Sequence, residues 1–148
     1  MKVIFLDIDG VLNAGEFWNH DEGSFQVHDP LIQNLNLILK KVPRTKIVIS
    51  SSWRYHYKSA EALAQFLEQR GLKKGVVIDF TPVRLSGQRR ENEIQEWLDD
   101  HPKIKSFVVL DDDDFDLKKF EGKQLVKTTF HEGLTLECAE MAIKILEN

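Results

Sequence analysis

Val3-Ile4-Phe5-Leu6-Asp7-Ile8-Asp9-Gly10-Val11-Leu12 opens with apolar residues and ends in two carboxylates two positions apart, followed by glycine. Apolar residues do not alternate with polar ones before Asp7, so Val3 to Ile8 reads as a strand buried on both faces. The carboxylates fall where that strand leaves the interior, and Gly10 permits a tight turn away from it. Burying two such acids is costly without a compensating charge. A hard divalent cation would supply that charge, because Mg²⁺ prefers carboxylate and phosphate oxygens.

Working outward, further short apolar runs occur at Ile47 to Ile49, Val76 to Ile78, Phe107 to Leu110 and Leu125-Val126. Between them lie helical patterns. Leu31, Leu35, Ile38 and Val42 follow Asp29-Pro30, with Asp29 expected as the cap and Pro30 as the first helical residue. Ala60, Leu63, Ala64 and Leu67 form a second stripe closed by Gly71, and Ile94, Trp97 and Leu98 a third that stops near Pro102. Leu134, Cys138, Met141, Ala142 and Ile145 give the last. Apolar strands separated by helices indicate an α/β fold, a parallel sheet covered on both faces. Ligands of such sheets bind at the carboxyl ends of the strands. The polar clusters needing explanation all stand there.

The 148 residues fit one domain, 1–148, and no linker or repeat divides them. The stretch 13–29 reads as a loop or small hairpin flap. Hydrophobic residues make up 42% and charged residues 30%, a globular balance that excludes a disordered chain. The formal net charge of −4 argues against a broad nucleic-acid-binding or membrane-binding surface while leaving room for a local phosphate pocket. A single cysteine, Cys138, excludes an intrachain disulfide and a multi-cysteine zinc site, and favours a reducing compartment. No stretch is long and apolar enough to span a bilayer, and Asp7 and Asp9 interrupt any signal-peptide core, so a cytoplasmic location is expected.

Three more clusters accompany Asp7 and Asp9. Asp111 to Asp114 and Asp116 follow the fourth strand; alone they read as a solvated turn, but a parallel fold can bring Asp111 or Asp112 beside Asp7 around one cation. Ser50-Ser51-Ser52-Trp53-Arg54 follows the second strand, where hydroxyls and free N–H groups suit either a phosphate oxygen or helix capping. Trp53 reads as a packing anchor. Arg89-Arg90 precedes the third helix. Phe17, Trp18 and Phe25 in the 13–29 stretch are suited to stacking on a base, to a small local core or to a dimer contact.

These four clusters, in this order, resemble the motifs of the haloacid-dehalogenase (HAD) superfamily of phosphotransferases and phosphohydrolases. A closer likeness is to the small HAD domain of Swiss-army-knife RNA repair proteins, carried by Phe5 to Asn13, Ile47 to Arg54, Arg90 to Leu98, Val109 to Asp112 and Gly133-Leu134-Thr135. The resemblance implies a three-layer Rossmann-like core with strand order 3-2-1-4-5 and, given only 13–29 to build one, a minimal cap or none. It implies a magnesium-dependent phosphatase working through an aspartyl-phosphate. Asp7 would be the nucleophile and Asp9 the general acid and base. Mg²⁺ would be held by Asp7, the Asp9 carbonyl and Asp112, with Asp111 competing for that place. Ser50, or Ser51 one residue on, would bind phosphoryl oxygen. Arg90, or Arg89, would stabilise the transferring group, and Arg54 would contact substrate phosphate, a role that a salt bridge at the helix start explains equally well. The implied partner is a phosphorylated substrate, with a polynucleotide end or a nucleotide among the candidates. Two other readings compete: a catalytically silent HAD-fold module, and a receiver-like module whose acceptor would be Asp79.

Overall fold

The computed structural model describes residues 1–83 and 89–148. Five parallel strands form one sheet: β1 (Lys2–Leu6), β2 (Thr45–Ile49), β3 (Val77–Phe80), β4 (Phe107–Asp111) and β5 (Leu125–Lys127). Their spatial order is β3-β2-β1-β4-β5, so β1 is central and the chain reverses direction of travel across it. Helices α1 (Asp29–Lys41), α2 (Ala60–Gln69) and α3 (Arg90–Asp99) connect the first four strands, the 3-10 segment Phe115–Phe120 lies between β4 and β5, and α4 (Leu136–Glu147) follows β5. Among the described residues there is no cap domain, and no helix is long and apolar enough to cross a membrane.

The continuous apolar strands are explained by helices on both faces. Ile4 and Leu6 of β1 point with Ile47, Ile49, Val108 and Leu110 into a core built with α1, α2 and α4. Val3 and Phe5 point the opposite way, with Val48 and Val109, towards Ile94 and Trp97 of α3. That alternation is the two-residue period of a strand, here apolar on both sides. Phe5 meets Trp97 edge-to-face, with ring centroids 5.5 Å apart.

Several boundaries depart from the sequence expectation for physical reasons. Strand β3 begins one residue later than expected, although Val76 O already accepts from Ile47 N, and runs to Phe80, with a shift of register against β2 between Ile47 and Val48. Helix α1 already includes Asp29, and His28 stands at the cap position with Pro30 in the first turn. Helix α4 turns a different stripe inward. Ala139, Ala142 and Leu146 are its buried residues, Cys138 and Ile145 are only partly covered, and Met141 is exposed. Alanines let that helix approach the sheet more closely than a stripe of longer side chains would. The 13–29 stretch forms two short 3-10 turns, Gly15–Phe17 and His20–Glu22, and no hairpin.

The two faces predict unequal sensitivity to truncation. Leu6→Ala should cost about 2–5 kcal/mol in urea unfolding, whereas Ile78→Ala on the exposed side of edge strand β3 should change stability by less than about 1 kcal/mol.

Candidate active site

Strand register builds the site. Leu6 lies opposite both Ile49 and Leu110, so the next residue of each strand, Asp7, Ser50 and Asp111, emerges at one level. The backbone confirms the alignment: Ser50 N donates to Leu6 O at 2.8 Å and Asp7 N to Leu110 O at 3.0 Å. All three residues are buried. Carboxylate oxygens of Asp7, Asp111 and Asp112 can lie within 4.8 Å of one another.

Arg90, at the start of α3, closes this cluster. Its Nη1 is 2.8 Å from Asp111 Oδ2 and 3.4 Å from Asp7 Oδ2. Burial works against the guanidinium charge, but Asp7 and Asp111 outweigh it and hold Arg90 protonated. The acids are shifted the other way. Burial, reinforced by repulsion from Asp111, pushes Asp7 well above the usual carboxylate range, with Arg90 opposing. Burial raises Asp111 to about 6 against the pull of Arg90, and raises half-buried Asp112 as well.

Asp111 is heavily committed, since its Oδ2 accepts from Arg90 and its Oδ1 from Asp113 N. Asp112 stands against Gly10. That glycine has φ +80°, and a Cβ there would overlap Asp112 Oδ2 and come within 2.6 Å of its Cγ. Glycine is therefore required twice, for the turn and for the approach of the acid. Thr128 Oγ1, from the loop after β5, donates to Gly10 O at 2.6 Å and ties down the same turn.

Asp9 faces elsewhere. Its Oδ1 accepts from Asn13 Nδ2 at 2.8 Å and from Trp53 Nε1 at 3.0 Å. Trp53 is buried, packed on Phe25, Tyr57 and Phe66. It is the anchor that its type suggested, and its indole N–H also reaches Asp9. Asn13 ends the first stretch of family likeness without a role assigned to it, and Thr128 carries no sequence signal beyond a polar residue beside an apolar run.

The serines separate cleanly. Ser51 Oγ accepts from Trp53 N and caps the 3-10 turn Ser52–His56. Ser50 Oγ is buried and has no hydrogen-bond partner among the described residues. A buried orphan hydroxyl needs a partner, and its level with Asp7 points that need into the cluster. Arg89 is brought to a different place from Arg90: its side chain is half exposed, 3.8 Å from Glu91 Oε1, with its guanidinium 5.7 Å from the Phe115 ring centre.

Of the two readings of Arg54, the structure shows the ion pair. Arg54 is buried, and its guanidinium donates to Ser51 O, to Thr81 O and Oγ1, to Pro82 O and to Glu93 Oε1. Such an arginine is spent on the interior: it joins the exit of β2 to α3 and is not turned towards Asp7. Asp79 likewise lies outside the acidic cluster, with Oδ2 accepting from Trp97 Nε1 and Oδ1 from Phe80 N. Of the aromatic residues in the 13–29 stretch, Phe25 covers Trp53, while Phe17 and Trp18 lie against the His28 ring.

A family model described as the HAD domain in Swiss Army Knife RNA repair proteins matches residues 3–139. The chain belongs to that family. No curated protein and no solved structure matches it. The match spans all four clusters and also Gly133, whose φ of +69° and close packing on Leu31 and Val11 O leave no room for a side chain. Membership makes a hydrolase of the phosphatase type the general activity and a phosphorylated molecule the general substrate. The donor set fits a divalent metal: hard oxygens from three acids, two of them buried and each penalised for its charge.

Two predictions follow from this geometry. Gly10→Ala should lose about 1–3 kcal/mol of stability and weaken metal binding, and adding Asp112→Gly should recover only the part lost to the clash, leaving the cost of the positive φ, and should not recover binding; urea unfolding and calorimetric Mg²⁺ titration separate the two. The second concerns pH. An acid whose pKa is raised on folding favours the native state at low pH and loses that contribution as pH rises through the folded value. In EDTA, wild-type stability should therefore fall relative to Asp7→Asn as pH rises beyond the usual carboxylate range, and Asp7→Asn should melt about 2–6 °C higher at pH 7. Saturating Mg²⁺ should reverse the order at pH 7.

Proposed function

We propose that the protein is a magnesium-dependent phosphohydrolase that cleaves a phosphomonoester through an aspartyl-phosphate on Asp7. The observation that carries this reading is the level placement of Asp7, the unpartnered Ser50 hydroxyl and Asp111 with Arg90 across them. A carboxylate nucleophile, a free hydroxyl donor and a guanidinium at one strand level match what an incoming phosphoryl group needs.

An Asp7 oxygen attacks phosphorus opposite the ester oxygen. As the new O–P bond forms, the bond to the leaving oxygen breaks, and its electron pair takes a proton from Asp9. Asp9, now a carboxylate, then removes a proton from the water that attacks the aspartyl-phosphate. That step breaks the P–O bond to Asp7, regenerates it and releases phosphate. Ser50 Oγ donates to a phosphoryl oxygen throughout. Arg90 offsets the charge that builds on the equatorial oxygens. Asp7 and Asp112, with the Asp9 carbonyl, would hold Mg²⁺, which offsets the charge of phosphate and carboxylates together. Asp111 then serves chiefly to orient Arg90.

The substrate class is a polynucleotide end or a nucleotide, supported by the family description and by the lack of a cap domain among the described residues. Residues 1–148 act as one catalytic domain, with 13–29 as a flap beside Asp9, in a reducing, cytoplasmic setting that suits the free Cys138.

The test is phosphate release from p-nitrophenyl phosphate with Mg²⁺ or EDTA, then from 3′- and 5′-phosphorylated oligonucleotides. Wild type should turn over only with Mg²⁺, and Asp7→Asn should lose at least about a thousand-fold. A folded, Mg²⁺-binding wild type that releases phosphate from none of these substrates would overturn the reading in favour of a silent binding module.

A further inference from the structure

Asp9 is held by one oxygen only. Both of its hydrogen bonds, from Asn13 Nδ2 at 2.8 Å and Trp53 Nε1 at 3.0 Å, end on Oδ1. Among the described residues Oδ2 accepts none. The two donors are themselves fixed. Asn13 is fully buried, its Oδ1 accepting from Gly10 N at 2.9 Å and its Nδ2 also reaching Gln26 O at 2.9 Å. Trp53 is wedged between Phe25, Tyr57 and Phe66, and its backbone N–H is held by Ser51 Oγ. Neither side chain can turn without breaking several contacts.

An oxygen that accepts two N–H bonds is a poor place for a proton, which would compete with both donors for its lone pairs. The proton is therefore directed to Oδ2. When it leaves, the negative charge that remains is met at Oδ1 by two donors already in position, at no cost in reorganisation.

We propose that Trp53 and Asn13 are positioning residues for Asp9, fixing Oδ1 so that Oδ2 is the atom that exchanges a proton with the leaving group. The inference rests on the phosphohydrolase reading above and adds the device that orients its acid. In the step concerned, the phosphorus–ester oxygen bond breaks, its electron pair stays on the leaving oxygen, and the Oδ2 proton moves to that oxygen.

A leaving group's need for a proton separates this role from a structural one. p-Nitrophenolate leaves readily without protonation, whereas an alkoxide does not. Trp53→Phe keeps a ring in the packed site and removes the N–H. Its kcat/KM, which covers the steps up to loss of the leaving group, should fall about ten-fold or more on an alkyl phosphate and less than about three-fold on p-nitrophenyl phosphate. Asp9→Asn should show the same inequality, enlarged. If Trp53→Phe folds poorly, replacing the indole at position 53 by benzothiophene removes the N–H at constant ring size. Equal losses on the two substrates, or no loss on either, would overturn the inference while leaving the phosphohydrolase intact. A wild type that cleaves neither substrate would overturn the phosphohydrolase reading and this inference with it.

Discussion

Two acids, Asp7 and Asp111, end neighbouring strands inside the protein, and among the described residues the Arg90 guanidinium is what stands against their charges in the low-dielectric interior. Each carboxylate is penalised by burial and by the other, and Arg90 offsets only part of that. Much of the architecture serves to place this one cation. Helix α3 must lie so that its first residue reaches the ends of β1 and β4, and its inward face, Ile94 and Trp97, seats it against Val3 and Phe5 to do so. The remaining electrostatic deficit is what equips the cluster for a divalent ion and a phosphoryl group. It is a site under-compensated on its own and suited to a charged ligand set.

Arg54 and Glu93 form the second constraint. Their ion pair is buried, at 3.1 Å, and the other guanidinium donors are satisfied by Ser51, Thr81 and Pro82. A buried pair of this kind is poor evidence of stability in itself, because desolvation cancels much of the attraction. Its value lies in geometry. It ties the exit of β2, which carries Ser50 and Trp53, to the helix that carries Arg90. The two halves of the site, hydroxyl and cation, are thereby held in one frame.

A polar network does the same for the loop after β1. Asn13 links Gly10, Asp9 and Gln26, while Gln26 bonds Asn19 and Gly23 and meets the His28 ring. Burial lowers the His28 pKa, and its Nδ1 accepts from Ala14 N, so the neutral ring serves as a fixed acceptor. The loop owes its shape to hydrogen bonds and not to a core of its own, which is why it forms 3-10 turns without a hairpin.

The sequence by itself determined the class of fold and the level of the site. Short apolar runs with no alternation, separated by helical patterns, read as strands covered on both faces, and the polar residues that end them then gather at one edge of a parallel sheet. Asp7, Asp9, the Ser50 to Ser52 run, Asp111 and Asp112 were legible as candidates for that reason, while the role of Arg90 and the strand order followed from the family likeness. What the tertiary structure alone decided was the choice between neighbours. Ser50 and Ser51 point apart because consecutive residues of an extended chain face opposite ways, and only the packing shows which hydroxyl lacks a partner. Arg90 opens helix α3 while Arg89 precedes it in extended backbone, so their side chains leave in different directions. Arg54 was claimed by Thr81 and Glu93, residues 27 and 39 positions away in the chain, a pairing that no local pattern encodes. Trp53 and Asn13 met on one oxygen of Asp9 for the same reason: hydrogen-bond partners are set by where distant segments cross, and that is decided by packing.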